Sequence, residues 1–95
     1  MRVRYTPRAR DDLDAIHSYI KDQSPAAAAA VLKRIRTRID RLADFPFMAP
    51  MTELEGIRGL SIGRYPYKAY YRVVDDEVVI LHVRDTRRAP WTGEN

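Results

Sequence analysis

The sequence predicts an α+β fold: an N-terminal strand and an antiparallel helical hairpin, with the hairpin packed on one face of a small antiparallel β-sheet. Two segments between residues 7 and 43 carry apolar residues at alternating spacings of four and three, the period of an amphipathic helix. Each of these segments is preceded by a hydroxyl residue and a proline, Thr6-Pro7 and Ser24-Pro25. The last third holds two runs rich in Val, Ile and Tyr on either side of Asp75-Asp76, which is the composition of a β-hairpin.

The elements follow in order. Val3 to Tyr5 is a short strand stopped by Thr6-Pro7. Threonine as N-cap and proline at the first helical position start a helix from Pro7 to Asp22, with Asp11 and Asp12 placed towards the positive end of its dipole. Its stripe is Ala9, Leu13, Ile16 and Ile20. Ser24-Pro25 repeats the start signal for a second helix running to Ala43, with Ala28, Leu32, Ile35, Ile39 and Leu42 as its stripe. The short connection folds the two helices back on each other, and the run Ala26 to Ala30 lets them approach closely. The prolines of Phe45-Pro46-Phe47-Met48-Ala49-Pro50-Met51 exclude a regular element, and the loop's large apolar side chains are expected to fold over the end of the core. Ile57 to Arg64 is a strand weakened by Gly59 and Gly63. Arg64 to Val74 and Glu77 to Arg84 form the hairpin. Leu13, Ile16, Leu32, Ile35, Ile39 and Leu81 are the expected core.

Ninety-five residues, numbered 1–95, make one small domain with no room for a deep enclosed site. A formal charge of +4 favours an anionic partner, either nucleic acid or an acidic protein segment. The absence of cysteine excludes a disulfide framework, a thiolate zinc site and a cysteine nucleophile. No stretch has the length of a signal peptide core or a membrane span, so the expected location is the cytoplasm. Lys33, Arg34, Arg36, Arg38 and Arg41 crowd the end of the second helix, where cations complement the dipole and keep an outer face solvated.

Hairpin register decides which side chains share a face. A two-residue turn puts Tyr67, Ala69 and Tyr71 with Ile80, His82 and Arg84. A three-residue loop puts Lys68, Tyr70 and Arg72 with Ile80, His82 and Arg84, and leaves Tyr71 and Val73 opposite with Val79, Leu81 and Val83. The second arrangement separates charge from core more cleanly and is the expected one.

The chain resembles the RelE/ParE toxins of bacterial type II toxin-antitoxin systems, also described as plasmid-stabilisation proteins. The likeness runs from Tyr5-Thr6-Pro7-Arg8-Ala9 with Asp11-Asp12-Leu13, through Leu42-Ala43-Asp44-Phe45-Pro46, to Tyr67-Lys68-Ala69-Tyr70-Tyr71-Arg72-Val73 and Val79-Ile80-Leu81-His82-Val83. The resemblance implies a toxin neutralised by a cognate, ParD-like antitoxin with an acidic C-terminal segment, in a hetero-oligomer. It also implies one of two mechanisms, inhibition of DNA gyrase by binding or ribosome-dependent cleavage of messenger RNA. Set against the nuclease pattern, Lys68 stands where a strand arginine is usual and Arg88 where a second basic residue sits. The lysines of the preceding nuclease strand fall on Gly59 and Ser61, and the tail Asp85-Thr86-Arg87-Arg88-Ala89-Pro90-Trp91 offers neither histidine nor tyrosine. These departures favour the gyrase-inhibiting branch, with the ribonuclease as alternative. A plain nucleic-acid-binding module is the third reading, disfavoured because the aromatic-basic cluster lies on a hairpin with no recognition helix behind it.

The candidate surface for a target or an antitoxin is therefore Lys68, Tyr70, Arg72, His82, Arg84, Arg87 and Arg88, with no catalytic residue assigned. His82 has an intrinsic pKa near neutrality, yet an interior strand histidine is more often structural. His17 lies among polar residues on the first helix. Neither has a second histidine at metal-ligand spacing, and no phosphate-cradling glycine loop occurs, so no metal or cofactor is expected.

Overall fold

The structure, a computed structural model, describes residues 1–93. The order is β1 (Arg2–Tyr5), α1 (Pro7–Lys21), α2 (Pro25–Asp40), a 3₁₀ turn (Arg41–Ala43), β2 (Arg58–Ser61), β3 (Tyr67–Val74) and β4 (Glu77–Asp85). Both helices start as the sequence dictates. The Thr6 hydroxyl accepts from the Ala9 N–H at 3.1 Å and the Ser24 hydroxyl from the Ala27 N–H at 3.1 Å, with proline in the first helical turn each time. The second helix stops at Asp40, and its expected last turn tightens into the 3₁₀ segment that buries Leu42.

The four strands form one sheet in the order β1-β4-β3-β2. β2, β3 and β4 are antiparallel, whereas β1 lies parallel to β4 with Val3 opposite Val78 and Tyr5 opposite Ile80, so the sheet is mixed. The helices cover its inner face. Ala9 and Leu13 of α1, with Val31, Leu32, Ile35 and Ile39 of α2, pack against Leu60, Tyr67, Ala69, Tyr71, Val78, Ile80 and Val83. The expected core stands apart from Ile16 and Leu81, which are only half-buried.

The hairpin satisfies neither register as expected. Asp75 and Asp76 form a two-residue turn, both with positive φ (50° and 60°), and pair Val74 with Glu77. Such left-handed pairs match the twist of the flanking strands, and aspartate tolerates the conformation better than most residues. The two-residue register holds as far as Tyr71 opposite Ile80, which places Ile80 in the core rather than on the polar face. A β-bulge then inserts Leu81, and pairing resumes with Tyr70 opposite His82, Ala69 opposite Val83 and Lys68 opposite Arg84. One extra residue thus keeps Ile80 and Val83 both inward and turns His82 and Arg84 outward with Lys68 and Tyr70.

The loop after the 3₁₀ turn covers the core less than expected. Ala49 is buried and Pro46 half-buried, but Phe45 and Phe47 are 53% and 61% exposed, and Met48 and Met51 are also exposed. Guanidinium groups shield the two rings instead: Arg41 lies 5.4 Å from the Phe45 centroid and Arg58 lies 5.1 Å from that of Phe47. Tyr71 ties the loop down from below, its hydroxyl donating to the Pro46 carbonyl at 2.8 Å. Among the described residues, no helix is long and apolar enough to cross a membrane.

Candidate functional site

The site is the outer face of the β3–β4 hairpin and its continuation past Asp85. Alternation along β3 puts Lys68, Tyr70 and Arg72 outward, Arg72 exposed and the other two half-buried. On β2 the outward neighbours are Gly59, opposite Tyr70, and Ser61, opposite Lys68. A side chain at position 59 would meet the Lys68 stem and the Thr52 methyl, each 3.1 Å from an ideal Cβ, so glycine here leaves room for Lys68 to lie across the strand.

β4 has a problem of its own. β1 ends opposite Ile80, so beyond that point the backbone of β4 would be an open edge, and the bulge disturbs it further. The start of α1 closes this gap. The Thr6 N–H donates to the Ile80 carbonyl (3.0 Å), the Thr6 hydroxyl to the Leu81 carbonyl (3.3 Å), and the Val83 N–H donates to Asp12 Oδ2 (2.9 Å). The same carboxylate oxygen lies 2.6 Å from His82 Nδ1, while Arg8 Nε sits 3.7 Å from Oδ1. Asp12 therefore closes a strand edge and fixes an imidazole together. His82 is 4% exposed, and its Nε2 is buried with no hydrogen-bond partner among the described residues.

The chain then turns back over this face. Arg87 clamps the turn, its guanidinium bonding the Asp85 carboxylate at 2.6 and 3.0 Å and its N–H donating to Oδ1 at 2.8 Å. These bonds hold the Asp85 carboxyl at a pKa of about 2, below its ordinary 3.8. The Thr86 N–H anchors the turn to the Pro66 carbonyl (2.8 Å). Arg84 Nη2 reaches the Ala89 carbonyl at 2.8 Å, and Trp91 settles against Tyr70 and His82 at centroid distances of 4.8 and 5.0 Å. Beside the turn, an open depression of about 380 Å³ between α1 and the end of β4 is lined by Arg8, Arg84, Arg87 and Arg88. Asp12 and Asp85 also line it, so its charge is mixed.

The structure thus brings Lys68, Tyr70, His82 and Arg84 into one cluster, sets Arg72 at its margin and puts Arg87 and Arg88 on the adjoining turn. Asp12 and Trp91 belong to the same arrangement, and sequence reading placed neither there. Asp12 is 70 positions from its histidine, and only the short gap left by β1 brings the two together. Trp91 did carry a signal, as the one tryptophan of the chain, standing in an otherwise polar tail. Among the described residues no cluster of His, Cys, Asp and Glu could hold a metal ion.

Residues 3–90 match the family described as ParE toxin of type II toxin-antitoxin system, parDE. The chain belongs to this ParE toxin family. It is 36% identical over 87 residues to Toxin RelE2 of Caulobacter vibrioides, covering 92% of this chain and 97% of that one. A solved structure of the chromosomal ParDE toxin-antitoxin system of P. aeruginosa contains a chain 28% identical to this one, with a TM-score of 0.80, covering 90% of this chain and 95% of that one. The isolated E. coli RelE toxin shares the fold at 13% identity and a TM-score of 0.65, with 93% and 86% covered. Family membership, with helices on a four-stranded sheet as in these toxins, accords with the architecture read from the two periodic helices and the hairpin.

Proposed function

We propose that this ParE-family toxin inhibits DNA gyrase by binding it in the cytoplasm and is neutralised by a cognate ParD-like antitoxin. The observation that carries the reading is the state of the outer face: His82, the histidine of the hairpin, is buried beneath Trp91, and Gly59 and Ser61 occupy the neighbouring outward positions. Cleavage of RNA needs a base for the ribose hydroxyl, an acid for the leaving oxygen and cations for the phosphorane. The face supplies cations, but its imidazole is covered and its second strand supplies no charge. The likeness to a ParDE chain at 28% identity supports the same branch and an antitoxin partner. An acidic antitoxin segment, laid over the hairpin and helices as a helix or added strand, would meet Arg72, Arg84 and Arg88. Its association with the purified chain should slow as salt rises.

One observation favours the ribonuclease as a second reading. The Asp12 carboxylate against His82 Nδ1 is the arrangement that orients an imidazole for proton transfer at Nε2. The test offers ribosomes with messenger RNA in one reaction and gyrase with supercoiled DNA in another. The gyrase reading expects loss of supercoiling activity, intact message, and His82→Gln still toxic. Ribosome-dependent cleavage abolished by His82→Gln or Lys68→Ala, with gyrase untouched, overturns it in favour of the second.

A further inference from the structure

The large apolar side chains that stay exposed gather at one end of the molecule. Phe45, Phe47, Met48 and Met51 all belong to the loop between the 3₁₀ turn and β2. The hairpin turn lies at the same end: Arg2, at the start of β1, stands opposite Glu77, and the Met1 ammonium group donates to the Ala43 carbonyl at 2.8 Å. Val74, the last residue of β3, is exposed there too. Apolar surface gathered in this way marks a place of contact.

The loop is held in place. Tyr71 bonds Pro46 from below, Arg58 Nη1 donates to the Phe47 and Ala49 carbonyls at 3.3 and 2.8 Å, and the Gly59 N–H donates to the Pro50 carbonyl at 3.0 Å. The two rings are therefore presented in fixed positions, and docking on them costs little further ordering. These bonds, with that from the Thr52 N–H to the Ile57 carbonyl (2.9 Å), also occupy backbone groups along the start of β2. The surface thus offers side chains, where an added strand would need an open edge.

Charge decides the occupant. Arg41 and Arg58 lie over the Phe45 and Phe47 rings, Asp44 precedes Phe45, and Asp75 and Asp76 follow Val74. Among the described residues none of these five charged groups is in an ion pair. A partner of one sign would be repelled by some of them and attracted by the rest. A surface with the same mixture satisfies both signs, and a second copy turned about a two-fold axis is such a surface, because residue i then meets j where j meets i. We propose that this end of the molecule is a homodimer interface, with the Phe47 ring of each copy packed against the loop of the other and guanidinium groups of one copy facing carboxylates of the other. Lys68 and Arg84 pair at the far end of the strands, so the dimer leaves the outer-face cluster open to a target.

Sedimentation of the full-length chain over a range of concentrations is expected to show a monomer–dimer equilibrium. As the dimer forms, the amide resonances of residues 44–51 and 74–76 should shift while those of Lys68 and Trp91 stay in place. Phe47→Ser, at an exposed position, should keep the native unfolding midpoint and weaken the dimer at least about tenfold. Arg41→Glu, which offers no cation to the facing carboxylates, should also weaken it. A monomer at every concentration overturns the proposal, as does a dimer that Phe47→Ser leaves intact. A monomer whose loop resonances move only when the product of an adjacent antitoxin gene is added overturns it as well, and gives the surface to that partner.

Discussion

On the inner face of the hairpin, Tyr67, Ala69 and Tyr71 alternate into a core closed by two capped helices. One residue along the same strand, Lys68, Tyr70 and Arg72 point to a face covered by the tail that follows Asp85. The two covers differ in kind. The helices bury contiguous apolar surface and leave Tyr71 with a hydrogen bond for its one polar atom. The tail lies over an imidazole and a half-buried guanidinium, with the Trp91 ring and the Arg84 bond to Ala89 among its contacts, and His82 Nε2 and Arg84 Nε have no hydrogen-bond partner among the described residues. The face closed by the helices serves stability, and the face closed by the tail is the one proposed for binding.

This contrast can be broken or sharpened by substitution. Ile35→Ala removes a fully buried side chain from beneath the inner face and should cost about 2–5 kcal/mol, seen as a lower urea midpoint. An unchanged midpoint would remove Ile35 from the core. Asp12→Ala opens the seam between α1 and β4, leaving the Val83 N–H and His82 Nδ1 without their acceptor, for a loss of about 1–3 kcal/mol. Amide exchange at Val83 should accelerate, and protection equal to that of the native chain would contradict the role given to the carboxylate. Tyr71→Phe deletes only the bond to Pro46 and should cost about 1 kcal/mol by the same unfolding measurement. On the outer face, replacing Arg84, Arg87 and Arg88 together by Gln should weaken target binding while lowering the urea midpoint far less than Ile35→Ala, the losses being the Arg84 bond to Ala89 and the exposed Arg87 clamp on Asp85. A large stability loss would mean that the outer face is structural after all.

The smallest effect is expected from pH. The Asp85 carboxyl titrates below its ordinary 3.8, so the clamp it forms with Arg87 contributes fully above that value and is lost as pH falls towards about 2. Carboxyl resonances should give a midpoint for Asp85 near 2, and Arg87→Gln should return it towards 3.8. At the other extreme, burial raises Tyr5 from 10.0 to about 12, so its stabilising contribution is intact below pH 10 and lost as pH rises through 12. Ultraviolet titration should find Tyr5 ionising near 12, above the ordinary 10.0.

Where the physics is local, the sequence discloses it. Thr6-Pro7 and Ser24-Pro25 mark the helix starts because capping needs only neighbours, and the spacing of Leu32, Ile35 and Ile39 identifies a buried stripe because the helix repeats every few residues. The outward set Lys68, Tyr70 and Arg72 was legible through strand alternation. The parallel pairing of β1 was not, since Val3 and Tyr5 suit either direction. Nor was the bulge, because Leu81 is as ordinary a strand residue as those beside it. The exposure of Phe45 and Phe47 escaped a reading based on hydrophobicity alone, which takes no account of arginines that stack on the rings. The Asp12 contact arises only when β1 ends and α1 begins beside the open end of β4, a fact of tertiary structure.

The bulge at Leu81 makes the make-up of the outer face a matter of register. Counted from the Asp75-Asp76 turn, every position up to Ile80 follows one alternation, and every position from His82 onward follows its reverse. Were Leu81 instead paired with Tyr70, composition, charge and hydrophobicity would be the same, yet Val83 would turn outward and an imidazole and a guanidinium would be driven inward, opposite Ala69 and Tyr67. Which side chains β4 shows on each face beyond Ile80 therefore depends on leaving one residue of the strand unpaired.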